Sequence, residues 1–288
     1  MSEWTGVAGK RVLITGATNG IGLAAAQELA RRGARLAVVA REEAKGRASV
    51  ERIEAAGSDA PVDLLLADLS AQRDVRRLAG EVLERYPRID VLANNAGAMF
   101  ARRQLSEDGI ELTWALNHLA PFLLTNLLLE RLKESAPARV ITTSSDAHRG
   151  AHIPFDDMAA ERSYARGGFS RYSETKLANI LFTAELARRL EGTGVSAYCF
   201  HPGLVSTGFN RNNGALMGAL MLLARPLSRT PEHGARTLVW LADSSEPEGQ
   251  SGGYFTDEKL ATPTGAGRDT DAAARLWALS EEQTQVHA

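Results

Sequence analysis

A tyrosine and a lysine four residues apart, in the run Tyr172-Ser-Glu-Thr-Lys176, are the residues of this chain whose types and spacing most directly suggest chemistry. Residues four apart share one face of a helix, so a phenol and an ammonium would stand side by side. A nearby cation favours phenolate and lowers a tyrosine pKa. That makes a proton donor and acceptor usable near neutral pH. Short motifs also arise by chance, and the bland alternative is a solvated helix face. The pair gains weight from its company upstream.

That company begins with Thr15-Gly-Ala-Thr-Asn-Gly-Ile-Gly22, directly after the apolar run Arg11-Val-Leu-Ile14 and at the start of a helical stretch near Ile21. Gly16, Gly20 and Gly22 permit a tight turn and close backbone approach to a pyrophosphate, with Thr18, Asn19 and Ile21 between them. The helix N-terminus then offers free N–H groups and a partial positive charge. A Gly-rich turn without a ligand is the alternative, but a strand before and a helix after are the context such a motif requires. The second strand ends at Val38-Val39-Ala40-Arg41. About 20 positions past the glycines an NAD site has an acid for the ribose 2′-hydroxyl, whereas an arginine accommodates a 2′-phosphate. Here Ala40 takes the acid's place and Arg41 follows it. The expected cofactor is therefore NADP(H) in preference to NAD(H), unless Arg41 is only a solvated residue before the next helix.

These residues need a scaffold, and the chain alternates short apolar runs with helical patterns. The runs are Arg11–Thr15, Leu36–Val39, Val62–Ala67, Val91–Ala93, Val140–Thr143, Val195–Phe200 and, more weakly, Gly253–Thr256. Helical stretches lie between them, among them Ile21–Arg32, Glu42–Ala56, Ala71–Tyr86, Leu112–Glu134 and Tyr172–Glu191. Such alternation predicts βαβ units, and strands apolar throughout predict a sheet covered on both faces. The expected fold is α/β: a single-domain Rossmann fold over residues 1–288, with a doubly wound, seven-stranded parallel sheet flanked by helices. Residues 146–171 and 204–230 fall outside the rhythm. Long insertions are often lids or binding loops, and 204–230 is expected to cover a substrate, with a C-terminal tail over about 257–288.

Composition narrows the classes. A hydrophobic content of 44% supports a sizeable core, and a net charge of −2 without a basic block gives nucleic-acid binding no support. The single cysteine, Cys199, lies in an apolar run and is expected to be a buried, inert thiol. No Cys/His spacing suggests a metal. The N-terminus has no leader pattern, and the apolar stretch Ala215–Ala224 is shorter than the roughly 20 residues a membrane span takes. A cytoplasmic protein without a membrane span is expected.

Thr15–Gly22, Asp68-Leu69, Asn94-Asn95-Ala96-Gly97, Asn117, Ser144-Ser145, Tyr172 with Lys176, and Pro202-Gly203 occur in an order that resembles the short-chain dehydrogenase/reductase family, from residue 10 to about 256. The stretches Asn117–Thr125, Lys176–Thr183 and Arg275–Ser280, with the long gap between Ser145 and Tyr172, resemble its retinol-dehydrogenase-like branch. Unlike many members of that branch, this chain is expected to carry no N-terminal membrane segment.

The resemblance implies interconversion of a carbonyl and an alcohol by hydride transfer. Tyr172 would be the general acid/base. Lys176 would lower its pKa and bond the nicotinamide ribose, and Asn117 would anchor a water of the proton relay. Asp68 and Leu69 would meet the adenine, and Asn95, Ala96 and Gly97 would line the cofactor groove. Pro202, Gly203, Val205 and Thr207 would meet the nicotinamide carboxamide. Bland alternatives stay open: Asp68 as a helix cap, Asn94-Asn95 as turn chemistry, Asn117 as a buried helix residue bonded to backbone. Adjacent strand residues face opposite ways, so Ser144 and Ser145 should not share a job. The family pattern selects Ser145, whose hydroxyl would bond the substrate oxygen like an oxyanion-hole donor. His201 reads as structural, and so do His148 and His152, unless either edges the substrate pocket.

The substrate pocket is expected between Met99-Phe100, the insertion with Ile153 and Phe155, and the segment from Phe209 to Leu223. These walls are apolar with adaptable Met side chains, so the expected partner is an apolar or aromatic small molecule. The rival for Leu216–Leu223 is ordinary core or a subunit interface. A homodimer or homotetramer through the long helices near Leu112 and Tyr172 is left open. Two other functions compete. A non-catalytic NADPH-binding regulator would usually have a broken Tyr/Lys/Ser set, and a sugar-nucleotide epimerase or dehydratase would have TGxxGxxG spacing and a larger C-terminal domain.

Overall fold

The computed structural model describes residues 3–205 and 228–286. The apolar runs become β1 (Arg11–Thr15), β2 (Arg35–Ala40), β3 (Asp63–Leu66), β4 (Val91–Asn94), β5 (Ala138–Thr143), β6 (Val195–His201) and β7 (Tyr254–Thr256), followed by β8 (Lys259–Ala261). They lie in the order β3-β2-β1-β4-β5-β6-β7-β8. β1 is central: Ile14 stands opposite Val38 of β2 and Ala93 of β4. Strand order reverses between β1 and β4, the place where α/β sheets bind ligands beyond their carboxyl ends.

Seven strands run parallel and the eighth does not, which corrects the expected count. Asp257 and Glu258 take φ of 50° and 60° and turn the chain back, pairing β8 antiparallel to β7. Two successive positive-φ residues form a tight hairpin turn that favours Asn and Gly. Asp-Glu sends no such signal, and a strand of three residues is too short to show a period. The expected tail is therefore partly sheet edge and partly helix.

Alternate strand residues feed the two sheet faces. Val12 and Ile14 pack with Leu36, Val38, Tyr198 and Phe200 under α1 (Gly20–Arg31) and the helix Pro231–Asp243, α8 in chain order. Leu13, Val39, Leu92 and Val140 face α3 (Gln72–Arg85), α5 (Ala120–Leu127) and α7 (Phe169–Arg189). In α3 the buried residues Val75, Leu78, Ala79 and Val82 keep the spacing of one helical stripe. α2 (Glu43–Glu54) follows β2.

The helix expected over Leu112–Glu134 is broken into α4 (Leu112–Trp114), a π turn at Ala115–Leu119, α5, and α6 (Leu129–Glu134). Single π turns are rare and recur at functional sites, and this one contains Asn117. The last helix, α9 (Thr270–Thr284), is capped by Asp269, whose carboxylate accepts from the Ala272 N–H at 2.9 Å. It presses the Trp277 ring against Phe122 of α5 and Phe182 of α7, at centroid distances of 4.9 and 5.9 Å. No helix among the described residues is long and apolar enough to cross a membrane.

Candidate active site

The Gly-rich turn after β1 is packed against the end of β4. A Cβ on Gly16 would lie 2.7 Å from the Ala96 Cα, and one on Gly22 would lie 2.2 Å from the Gly16 carbonyl oxygen. Both approaches exclude any side chain. The Thr15 hydroxyl accepts from the backbone N–H groups of Asn95 and Ala96, each at 3.0 Å. The Asn95 amide donates to the Thr15 and Gly16 carbonyls at 3.2 and 3.3 Å, and its oxygen accepts from the Thr143 hydroxyl at 3.2 Å. The Asn95 side chain is thus a brace between three strand ends. Asn19 occupies the N-cap of α1 without making a capping bond. Its amide and the first N–H groups of α1, which have no partner inside the helix, are left for an anion. A pyrophosphate fits this cradle.

Asp68 does not cap α3, whose N-cap is Ala71. One Asp68 oxygen accepts from the Ser70 N–H and hydroxyl at 2.9 and 2.7 Å, and the Asp68 N–H donates to Asp74. The turn holds Asp68 and Leu69 beyond β3, on the carboxyl edge of the sheet. At the end of β2, Ala40 is buried and Arg41 extends into solvent, 3.8 Å from Glu42. Ala40 leaves the position of the ribose-binding acid without a charge, and the Arg41 cation next to it, though near Glu42, fits a 2′-phosphate.

Beyond β5 the two serines separate as their alternation requires. The Ser144 hydroxyl donates to the Lys176 carbonyl at 2.7 Å and is buried in the scaffold. The Ser145 hydroxyl accepts from the Ala147 N–H at 3.1 Å and is near enough to Tyr172 to lower its pKa. Lys176 donates to the Thr143 carbonyl at 3.1 Å, and its Nζ lies 5.4 Å from the centroid of the Tyr172 ring. Asn179, three residues along the same helix face, donates to the same carbonyl at 3.1 Å.

Burial governs both titrations. It pushes the Lys176 ammonium down to about 8. It pushes the Tyr172 phenol up to about 12, against the lowering effect of the Ser145 hydroxyl. This corrects the expectation that the neighbouring cation would lower the tyrosine. The ammonium is bonded to the Thr143 carbonyl, and desolvation of the phenolate dominates the tyrosine's titration.

Asn117 joins the site through the π turn. Its amide donates to the Ala98 carbonyl at 2.9 Å and to the Thr175 hydroxyl at 3.1 Å, and its oxygen accepts from the Ala98 N–H at 2.9 Å. A Cβ on Gly97 would lie 3.2 Å from the Asn117 oxygen and 3.5 Å from the Lys176 Nζ. Gly97, Asn117 and Lys176 therefore border one space. On its other side, Pro202 and Gly203 follow β6, with the Arg229 side chain against Gly203. Val205 makes a parallel bridge to Arg229. Thr207, Phe209 and most of the expected lid over 204–230 lie outside the described residues.

Two of the histidines are bonded at the end of β5. His201 Nδ1 accepts from the Asp146 N–H at 3.1 Å, and burial lowers its pKa. Buried His148 bonds the Ser145 carbonyl at 2.7 Å. His152 is exposed. Cys199 is buried and its thiol is raised to about 12 by desolvation.

Two expected pocket residues sit on different elements. Met99 is buried beside the β4 end. Phe155 packs into the cluster of Trp114, Leu177 and Leu276, with the Arg275 guanidinium 4.2 Å from its ring centroid. The half-buried ring thus rests on the scaffold, an orientation that an insertion without a period does not disclose in sequence. An apolar residue missed from sequence is Phe169. It is 43% exposed, with its ring 6.4 Å from that of Tyr172. Its spacing of three from Tyr172, one helical turn away, was the available signal.

A sequence profile of the family described as short chain dehydrogenase matches residues 10–216. The chain is 43% identical to retinol dehydrogenase 14 of Mus musculus, over 95% of its own length and 85% of that protein. It is 42% identical to a Streptomyces protein named as a candidate daunorubicin C-13 ketoreductase, over 96% and 92% of the two lengths. A short chain dehydrogenase from Burkholderia cenocepacia, solved in complex with NADP, superposes with a TM-score of 0.68 at 27% identity, covering 87% of this chain and 96% of that one.

Proposed function

Because the chain belongs to the short-chain dehydrogenase family of carbonyl and alcohol oxidoreductases, we propose that it interconverts an apolar or aromatic ketone or aldehyde with its alcohol, using NADP(H). The observation that carries this reading is the convergence of Tyr172, Lys176 and Asn117: the Lys176 Nζ lies 5.4 Å from the Tyr172 ring centroid and borders one space with Gly97 and Asn117, with Ser145 beside the phenol.

A reduced nicotinamide, when bound, supplies the hydride. The chain's own groups handle the oxygen. Ser145 donates to the substrate carbonyl and stabilises the charge that develops there. Tyr172 gives its hydroxyl proton to that oxygen. A phenol held near 12 is neutral at cellular pH, so it is ready as the proton donor that reduction requires. The oxidative direction needs phenolate and is favoured by alkali. Lys176 holds a positive charge against the Thr143 carbonyl, beside Gly97 where the nicotinamide ribose would lie. Asn117 is not a proton carrier, since its amide is committed to Ala98 and Thr175. Its role is to fix the β4 end against α7, with the π turn leaving backbone groups for a relay water.

Ala40 and Arg41 support NADP(H). The exposed side chains of Phe169 and Leu204 near the site support an apolar substrate, as do relatives named for retinol and for an anthracycline ketone. A panel of carbonyl compounds, followed by NADPH absorbance, tests the proposal. Turnover of hydrophobic and aromatic ketones is expected, and activity confined to small polar sugars would contradict it.

A further inference from the structure

Arg171 directly precedes Tyr172, yet its guanidinium turns inward and is 2% exposed, paired at 2.8 Å with a Glu111 carboxylate that is 0% exposed. We propose that this buried Glu111–Arg171 pair is the positioning device that sets Tyr172 relative to Ser145 and Asn117. The inference rests on the reading of Tyr172 as the proton donor.

Glu111 works on the Asn117 side. Its Oε1 and Oε2 accept the N–H groups of Thr113 and Trp114 at 3.0 and 2.9 Å, capping the short helix α4 that leads directly into the π turn. Oε1 also meets the Tyr164 hydroxyl at 3.2 Å, and that hydroxyl donates to the Phe100 carbonyl at 2.8 Å. The carboxylate therefore fixes the start of the Asn117 helix and, through Tyr164, the segment that follows β4.

Arg171 works on the Tyr172 side. Nε takes Glu111, Nη1 takes Glu174 at 3.0 Å, and Nη2 donates to the Met158 carbonyl. The guanidinium plane lies 4.7 Å from the Trp114 ring centroid. All three nitrogens are committed in a planar fork that an ammonium cannot reproduce. The first turn of α7 is thus tied to the insertion and to α4 at the residue next to the phenol. Neither Arg171 nor Glu111 touches Tyr172's hydroxyl, so both act through backbone placement. Misplacing a reacting group by about 1 Å costs on the order of a hundredfold in rate.

Removing one partner strands a buried charge and costs stability, so the test uses Arg171→Lys, which keeps the charge, and the double variant Arg171→Met with Glu111→Gln, which removes both charges at similar volume. Turnover of an aromatic ketone is measured per NADPH-binding site, titrated by fluorescence so that unfolded protein does not count. KM, the NADPH Kd and the melting temperature are measured beside it, with Tyr172→Phe as control. The expected result, in either variant that binds NADPH, is a fall in kcat of about tenfold or more, with KM and Kd within about threefold. A fall of less than about threefold in kcat per site, whatever the melting temperature, would make the pair merely structural and overturn the inference. If Tyr172→Phe itself retains wild-type turnover, it is the underlying reading that fails.

Discussion

Replacing Lys176 by Met is expected to make the protein more stable and nearly inactive. The side chain is 3% exposed, and burial lowers its pKa from 10.5 to about 8. At about 1.4 kcal/mol per tenfold change in proton affinity, that drop means the fold carries roughly 3 kcal/mol of cost for the ammonium at neutral pH. Met keeps most of the volume without the charge. The Thr143 carbonyl is not orphaned, because Asn179 still donates to it at 3.1 Å. A gain of about 1–3 kcal/mol at pH 7 is therefore expected, allowing for the lost hydrogen bond.

The sign has a pH signature. Between pH 8 and 10.5 the unfolded wild type binds a proton at Lys176 that the folded form does not, so wild-type stability rises through that window. The Met variant lacks this rise, and its advantage should shrink toward zero above pH 10.5. Urea unfolding of both proteins without cofactor, at pH 7 and at pH 10, reads the difference directly. A variant less stable than wild type at pH 7, or an advantage that does not shrink by pH 10, would refute the argument from burial.

Other outcomes follow from the same geometry. Reductive kcat/KM should be flat below neutrality and fall as pH rises through about 8, where Lys176 loses its charge while Tyr172, near 12, is still protonated; a midpoint near 10 or above would show that Lys176 is not depressed in the free enzyme. Arg41→Ala should weaken NADPH binding by about tenfold and leave NADH binding unchanged, a modest figure because the side chain is largely exposed; equal loss for both cofactors would remove Arg41 from the 2′-phosphate. Gly22→Ala should abolish cofactor binding and lower stability by about 1–3 kcal/mol, since its Cβ would meet a backbone oxygen; isothermal calorimetry showing normal NADPH affinity would mean the turn is not the cradle.

The parallel sheet and the segments at its carboxyl edge were legible because each has a local signature. Val12 to Thr15 is apolar on both faces, and the glycines sit between strand and helix. The relation of Ser144 to Ser145 followed from strand alternation alone. What the sequence could not carry was long-range. The Asp257-Glu258 turn lacks the usual residues, so β8 was hidden. The π turn at Asn117 depends on packing that the helical period of Leu112–Glu134 does not record. The direction of the Tyr172 shift depends on how deeply a half-polar helix face is buried, which spacing does not report. Arg171 and Glu111 are 60 residues apart, and two charged residues in sequence look like solvent-facing ones until their burial is seen.

Stopped-flow or steady-state NADPH oxidation with an aromatic ketone, comparing wild type with Tyr172→Phe at matched cofactor occupancy, puts the proton-donor role to the proof. Retained NADPH affinity with turnover reduced by about a hundredfold or more is expected when a positioned acid is lost. Wild-type turnover in the phenylalanine protein would contradict the mechanism outright.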